Sequence, residues 1–167
     1  DQNKRKLPWR ENPTSYHVWL SEIMLQQTRV ETVKSYYERF VKKLPDIHSL
    51  AKASEEVYTK LWEGLGYYSR VQNLHKGAVQ IMEDFGGTMP STYQDLLKIA
   101  GIGPYTAAAI ASIAFGQKIP AIDGNLLRIF ARLTAYKESI KTERAKKEAS
   151  AFFSPKMMSN RPGDFNQ

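Results

Sequence analysis

The chain has 167 residues, of which 42% are hydrophobic, with 24 Lys and Arg against 17 Asp and Glu. That length supports one compact domain or two small lobes, and a net charge of +7 suits a polyanionic partner. With no cysteine there is no disulfide or thiolate metal site within it; no apolar run reaches the length of a membrane span, and the polar start Asp1–Lys6 lacks the hydrophobic region of a signal peptide, so a soluble intracellular protein is expected.

The apolar periodicity predicts helices almost throughout. Residues 14–28 read as a first helix, with Trp19 and Ile23, and Leu20 and Met24, each four apart. Residues 30–43 read as a second, carrying Val33, Tyr36, Tyr37, Phe40 and Val41, with Pro45 beyond its end. A third runs from Ser54 to about Trp62, before Gly64 and Gly66. A fourth covers about 69–84 and stops at Gly86-Gly87. Ser91 to Gln94 has capping-box spacing, so a fifth is expected to start there. The sixth runs from Pro104 to about Phe115. A seventh follows Asp123 and an eighth lies near 142–153. No alternating strand pattern, internal repeat or low-complexity linker is present. The fold class expected is all-α.

Residues 99–108, Ile-Ala-Gly-Ile-Gly-Pro-Tyr-Thr-Ala-Ala, join the fifth and sixth helices through a glycine turn. Gly101 and Gly103 permit backbone conformations that a Cβ penalises, and Pro104 suits the first helical position. Two readings stand for this segment: an ordinary helix–helix turn, or an anion site made by the N–H groups at the start of the second helix. Glu22 is the second marked position. It lies in Val18-Trp19-Leu20-Ser21-Glu22-Ile23-Met24-Leu25, a helix apolar nearly all round and therefore expected to be buried. Burial raises a carboxyl pKa, and a carboxyl that keeps its proton near neutral pH is a general acid. The competing reading is a carboxylate on a solvated stripe or one satisfied by a local partner. His17, His48 and His75 have no metal-ligand spacing, and residues 141–148 read as a solvated helix face.

Several segments in order carry a family resemblance. Leu7-Pro8-Trp9-Arg10, Ser21-Glu22-Ile23-Met24-Leu25-Gln26-Gln27-Thr28, Gly64-Leu65-Gly66-Tyr67-Tyr68-Ser69-Arg70, the hairpin with Ile122-Asp123-Gly124-Asn125, and Arg161-Pro162-Gly163-Asp164-Phe165-Asn166-Gln167 together resemble the MutY-type A/G-specific adenine DNA glycosylases. These belong to the helix-hairpin-helix, Gly/Pro-Asp base-excision superfamily. The resemblance implies a helix-hairpin-helix glycosylase fold, with a six-helix barrel lobe over 14–122 and the hairpin at about 91–115. Residues 1–13 are then a segment packing with a second helical lobe, and 123–167 the start of that lobe. It implies removal of adenine mispaired with 8-oxoguanine or guanine in double-stranded DNA, after the base is flipped out of the stack.

In such an enzyme the glutamate at position 22 protonates adenine N7, and Asp123 stabilises the positive charge that develops on the sugar, following two-carboxylate glycosidase logic. Tyr105 and Asn125 support the aspartate and the sugar intermediate. Related endonuclease III enzymes have a lysine where this chain has Tyr105; a phenol forms no Schiff base, so a monofunctional enzyme is expected. Read alone, Tyr105 is also a packing or capping aromatic. Gln27 and Tyr67 match wedge residues that enter the duplex. Trp9, Arg10, Leu25 and Gln167 match positions at the adenine pocket or lesion site, Thr28 matches a substrate- or DNA-binding position, and Gly101 and Gly103 match the phosphate-binding hairpin. The resemblance also implies K+ or Na+ on hairpin carbonyls near Ile99 and Ile102, and a [4Fe-4S] cluster whose four cysteines this chain lacks. The chain is therefore expected to be a truncated catalytic region, monomeric and associated with DNA inside the cell. Two other functions fit the same fold: a thymine or uracil mismatch glycosylase, and a non-catalytic helix-hairpin-helix DNA-binding module.

Overall fold

A computed structural model describes residues 7–11, 13–159 and 161–166. All regular structure among these residues is helical, in two compact units: residues 1–103 and residues 104–167. No helix among them is long and apolar enough to cross a membrane.

The first unit contains α1 (Pro8–Glu11), α2 (Ser15–Leu25), α3 (Val30–Lys43), α4 (Ile47–Lys52), α5 (Glu55–Trp62), α6 (Ser69–Asp84) and α7 (Tyr93–Leu96). Helix α2 packs on α3 and α6, α4 on α6, and α5 on both α3 and α6. Trp19, Leu20, Met24, Val33, Phe40, Leu50, Trp62, Val71, Leu74 and Ile81 are fully buried. The expected four-residue pairs on α2 are therefore core pairs. Phe40 and Trp62 meet edge to face with ring centres 6.0 Å apart, an arrangement suited to the ring quadrupole. The Tyr16 hydroxyl donates to Leu44 O at 2.7 Å.

Besides the short α1, which the sequence reading does not include, the first unit differs from expectation in the following details. Helix α2 ends at Leu25, not Thr28, because Gln26 leaves helical geometry and Gln27 takes φ 58°. Helix α4 is additional. Its signal is a capping box in which Asp46 accepts from Ser49 N at 2.7 Å and Ser49 Oγ accepts from Asp46 N at 3.1 Å, with serine in place of the usual Glu or Gln. The cap of α7 lies one residue later than expected: Thr92 Oγ1 accepts from Asp95 N at 3.1 Å.

The second unit contains α8 (Pro104–Ile113), α9 (Gly124–Thr134), α10 (Glu143–Phe153) and short 3-10 turns at Ser154–Lys156 and Pro162–Phe165. Its core is Leu127, Phe130, Ala149 and Phe153, with Tyr136, Phe152 and Phe165 packed around them. Helix α8 is buried from Thr106 to Ser112. It ends two residues before the expected Phe115, at a turn closed by Gln117 N donating to Ala111 O at 2.9 Å.

Candidate functional site

Glu22 sits in the middle of α2, partly buried, flanked by buried Ser21, Ile23 and Met24. Thr14 caps this helix by accepting from His17 N at 3.2 Å. Leu25 is its last residue and is partly buried, as is Arg10 on α1. Trp9 is 6% exposed, and its ring meets Tyr37 edge to face at 5.4 Å.

The α2–α3 loop and the α5–α6 loop are both irregular, and each carries a non-glycine residue in the left-handed region: Gln27 at φ 58° and Tyr67 at φ 48°. Such a conformation costs about 1–3 kcal/mol and persists only where its surroundings over-determine it. Arg70 supplies that constraint. Its Nη1 donates to Ile23 O at 3.1 Å, Met24 O at 2.9 Å and Gln26 O at 2.5 Å. Its Nη2 donates to Thr28 Oγ1 at 3.2 Å, Leu65 O at 3.3 Å and Gly66 O at 3.1 Å. One guanidinium thus joins the end of α2, both sides of Gln27, and the two residues before Tyr67. Arg70 is 8% exposed, and burial pulls its guanidinium below the usual range, although an arginine stays charged. Tyr67 is 63% exposed and Gln27 is exposed. Arg70 lies in the Gly64–Arg70 motif, but the sequence alone assigns it no role. The available signal was periodic: Arg70 shares the buried face of α6 with Val71, Leu74, Gly77, Ala78 and Ile81, a position that normally takes an apolar side chain.

The hairpin turn is fixed from α6. The Gln80 side chain donates to Lys98 O at 3.0 Å and accepts from Ala100 N at 3.1 Å. Gly101 has φ 77°, and an added Cβ would lie 2.9 Å from Asn73 Cβ; glycine is required there on both counts. The same expectation fails for Gly103. Its φ lies outside the left-handed region and no described atom lies within 4 Å of an added Cβ, so the free backbone here does not demand glycine. Ile99 and Ile102 are buried at 2% and 5% exposure, with Ile102 N donating to Ile99 O at 3.1 Å.

In the second unit, Tyr105 is 38% exposed on the first turn of α8. Asp123 is the N-cap of α9. Its Oδ1 accepts from Leu126 N at 2.8 Å and its Oδ2 from Asn125 Nδ2 at 3.0 Å. Asn125 Oδ1 in turn accepts from Arg128. Asp123 and Asn125 are thus brought together, two of the four residues assigned to chemistry. Asn166 is a second residue to which the sequence alone assigns no role. Its Nδ2 donates to Ser112 Oγ at 2.6 Å and Ile119 O at 3.0 Å, and its Oδ1 accepts from Ala121 N at 3.0 Å. It therefore fixes the non-helical stretch that leads into Asp123. Gly163 allows this closing segment to approach α8, since a Cβ there would sit 2.7 Å from Ile113 Cα. Gln167 lies outside the described residues. Among the described residues no group of three or more His, Cys, Asp or Glu is arranged to hold a metal ion.

Comparison with known proteins gives a consistent picture. Residues 20–155 match the family model of the HhH-GPD superfamily base excision DNA repair protein. An adenine DNA glycosylase of Homo sapiens is 43% identical over 176 residues, covering all of this chain and 32% of the human protein. One of Arabidopsis thaliana is 40% identical over 193 residues, covering all of this chain and 30% of that protein. The chain thus spans about a third of the length of these curated relatives. The solved structure of a thermostable thymine-DNA glycosylase superposes with a TM-score of 0.86 at 25% identity, over 98% of this chain and 76% of that one. With an all-helical fold, a glycine hairpin and a family match over most of its length, this chain belongs to the HhH-GPD superfamily of base excision DNA repair proteins.

Proposed function

We propose that the chain is the catalytic region of an adenine DNA glycosylase, hydrolysing the N-glycosidic bond of adenine mispaired with 8-oxoguanine or guanine. The observation that carries this reading is the alignment of the whole chain with relatives named adenine DNA glycosylase. The position of Glu22 among the buried residues Val18, Trp19, Leu20, Ile23 and Met24 of α2 supports its part in the chemistry. The target base leaves the stack before it can react. Glu22 donates a proton to adenine N7, which turns the base into a better leaving group. The glycosidic bond then breaks and positive charge develops on the sugar. Asp123 stabilises that charge, and Asn125, hydrogen-bonded to it, holds the carboxylate in place. Water completes the hydrolysis with Glu22 as the base. Tyr105 supports the sugar and offers no amine for a Schiff base, so the product is an abasic site in an uncut strand.

Gln27 and Tyr67 enter the duplex around the flipped base, Trp9, Arg10, Leu25 and Gln167 line the base and lesion pockets, and Thr28 belongs to the same DNA-facing region. The hairpin Gly101–Pro104 takes a DNA phosphate, and Gly103, open on its surface, leaves room for it. Backbone carbonyls near Ile99 and Ile102 are hard oxygen donors that fit K+ or Na+. The iron–sulfur cluster implied by the family does not fit these residues, since thiolate ligation needs cysteine and the chain has none. The enzyme acts as a monomer in the compartment that holds the DNA.

Single-turnover adenine release from a duplex with A opposite 8-oxoguanine tests the reading. Glu22→Gln and Asp123→Asn should each lower the rate by about 10²-fold or more while salt-sensitive DNA binding persists. Release of thymine from G:T, without release of adenine, would assign the chain to the mismatch enzymes instead. Binding without release of any base would leave a DNA-binding module.

A further inference from the structure

We propose that Arg70 is a positioning residue that holds Gln27 and Tyr67 as one rigid pair for insertion into DNA. This rests on the adenine glycosylase reading. The two residues lie on separate loops, forty positions apart in sequence. Each projects an exposed side chain from a backbone in the left-handed region. An isolated loop would relax such a residue to negative φ. Here relaxation is resisted from both loops through the same group. Gln26 O and Thr28 Oγ1, on either side of Gln27, and Leu65 O and Gly66 O, just before Tyr67, all accept from Arg70. The Tyr67 ring centre lies 5.7 Å from Arg70 Cζ, and the Trp62 ring backs the guanidinium at 5.2 Å. Trp62 Nε1 also donates to Gly66 O at 3.1 Å, which anchors the second loop from beneath.

Insertion of a side chain between bases works against stacking. A wedge on a loose loop would yield its position instead of unstacking the base. A planar guanidinium with donors in a fixed fork spans two loops, whereas an ammonium is a point charge that cannot. Arg70→Lys therefore separates charge from geometry. It keeps the cation and loosens the link between the loops.

The test is a mutant cycle read with a duplex carrying 2-aminopurine in place of the target adenine, opposite 8-oxoguanine. Its fluorescence rises when the base unstacks. Arg70→Lys should reduce the equilibrium constant for unstacking about tenfold in the wild-type background. In the Gln27→Ala/Tyr67→Ala background the same change should alter it less than twofold, because the pair it positions is gone. In the DNA-free protein, amide exchange should accelerate at 26–28 and 65–67 and stay slow within α2 and α6. An Arg70→Lys effect of equal size in both backgrounds, with the wild type opening the duplex, overturns the inference and leaves the glycosylase reading intact. A wild-type chain that gives no unstacking overturns that reading and the inference with it. Should Arg70→Lys fail to fold, Thr28→Val removes one acceptor from the link, and the same cycle should show about a threefold loss confined to the background with both wedges.

Discussion

The two units hold their candidate reactive segments by the same device in different chemistry. In residues 1–103 the buried guanidinium of Arg70 gathers six oxygens, two from the end of α2 and four from two loops. In residues 104–167 a neutral amide, Asn166, makes three bonds that fix the approach to Asp123. Both side chains satisfy backbone groups that irregular segments cannot pair among themselves, and leaving such groups unpaired is costly when they are buried. The difference lies in what removal exposes. Arg70 leaves several orphaned carbonyls and two strained loops; Asn166 leaves one N–H, one carbonyl and one hydroxyl.

The contrast breaks first under alanine. Arg70→Ala should cost about 3 kcal/mol or more, a fall in Tm on the order of 10 °C, whereas Asn166→Ala should cost about 1–3 kcal/mol. Thermal unfolding of the two variants side by side checks the order. Equal losses would mean that the two links carry the same load despite their different numbers of bonds. Gly163→Ala sharpens the second half of the contrast. Its new Cβ meets backbone atoms of Ile113 and Ser112 at 2.7 to 3.3 Å, which cannot move aside as a flexible side chain would. A loss of about 1–3 kcal/mol is expected, together with faster amide exchange at Ala121 as Asn166 is displaced. Unchanged exchange at Ala121 would show that the closing segment does not act on the Asp123 approach.

Asp123 joins stability to proposed chemistry at one position. As the cap of α9 it accepts from Leu126 N, so Asp123→Ala should cost about 0.5–2 kcal/mol. Asp123→Asn keeps an acceptor oxygen and should unfold within a few tenths of a kcal/mol of wild type, since Asn and Asp cap about equally well. Both should be inactive in base release. An Asn variant that is as destabilised as the Ala variant would break this separation of cap from charge.

Helix periods and breakers are legible in a sequence because they are local. The spans 30–43 and 69–84 are observed as read, and Pro104 and Asp123 start helices as their types predict. The helix that carries Glu22 is legible for the same reason, since Trp19, Leu20, Ile23 and Met24 recur on helical spacing and are all buried. What escaped was set by long-range pairing. Nothing near Arg70 in sequence reveals that its acceptors include Ile23, Met24, Gln26 and Thr28, and Asn166 reaches back to Ser112. The positive φ of Gln27 and Tyr67 follows from the same distant bonds, so no turn signal announces it. Helix α4 escaped on chemistry, because its box closes with Ser49 in place of a longer acid or amide.

The smallest effect expected concerns alkaline pH and the first unit. Tyr37 is 4% exposed between Trp9 and His17, and burial pushes its hydroxyl up from 10.0 to about 12. The sign follows from proton counting. Between these two values the unfolded chain has lost this proton while the folded chain keeps it, so stability falls as pH rises through that window and is unaffected below it. At pH 11 the loss is about 1 kcal/mol. Tyr37→Phe removes the ionisable group while keeping the ring that packs on Trp9. The variant should therefore lose less stability than wild type between pH 9 and pH 11, measured by urea denaturation at each pH. Parallel losses in the two proteins would assign the alkaline sensitivity to other phenols, of which Tyr16, also raised by burial and donating to Leu44 O, is the first to replace.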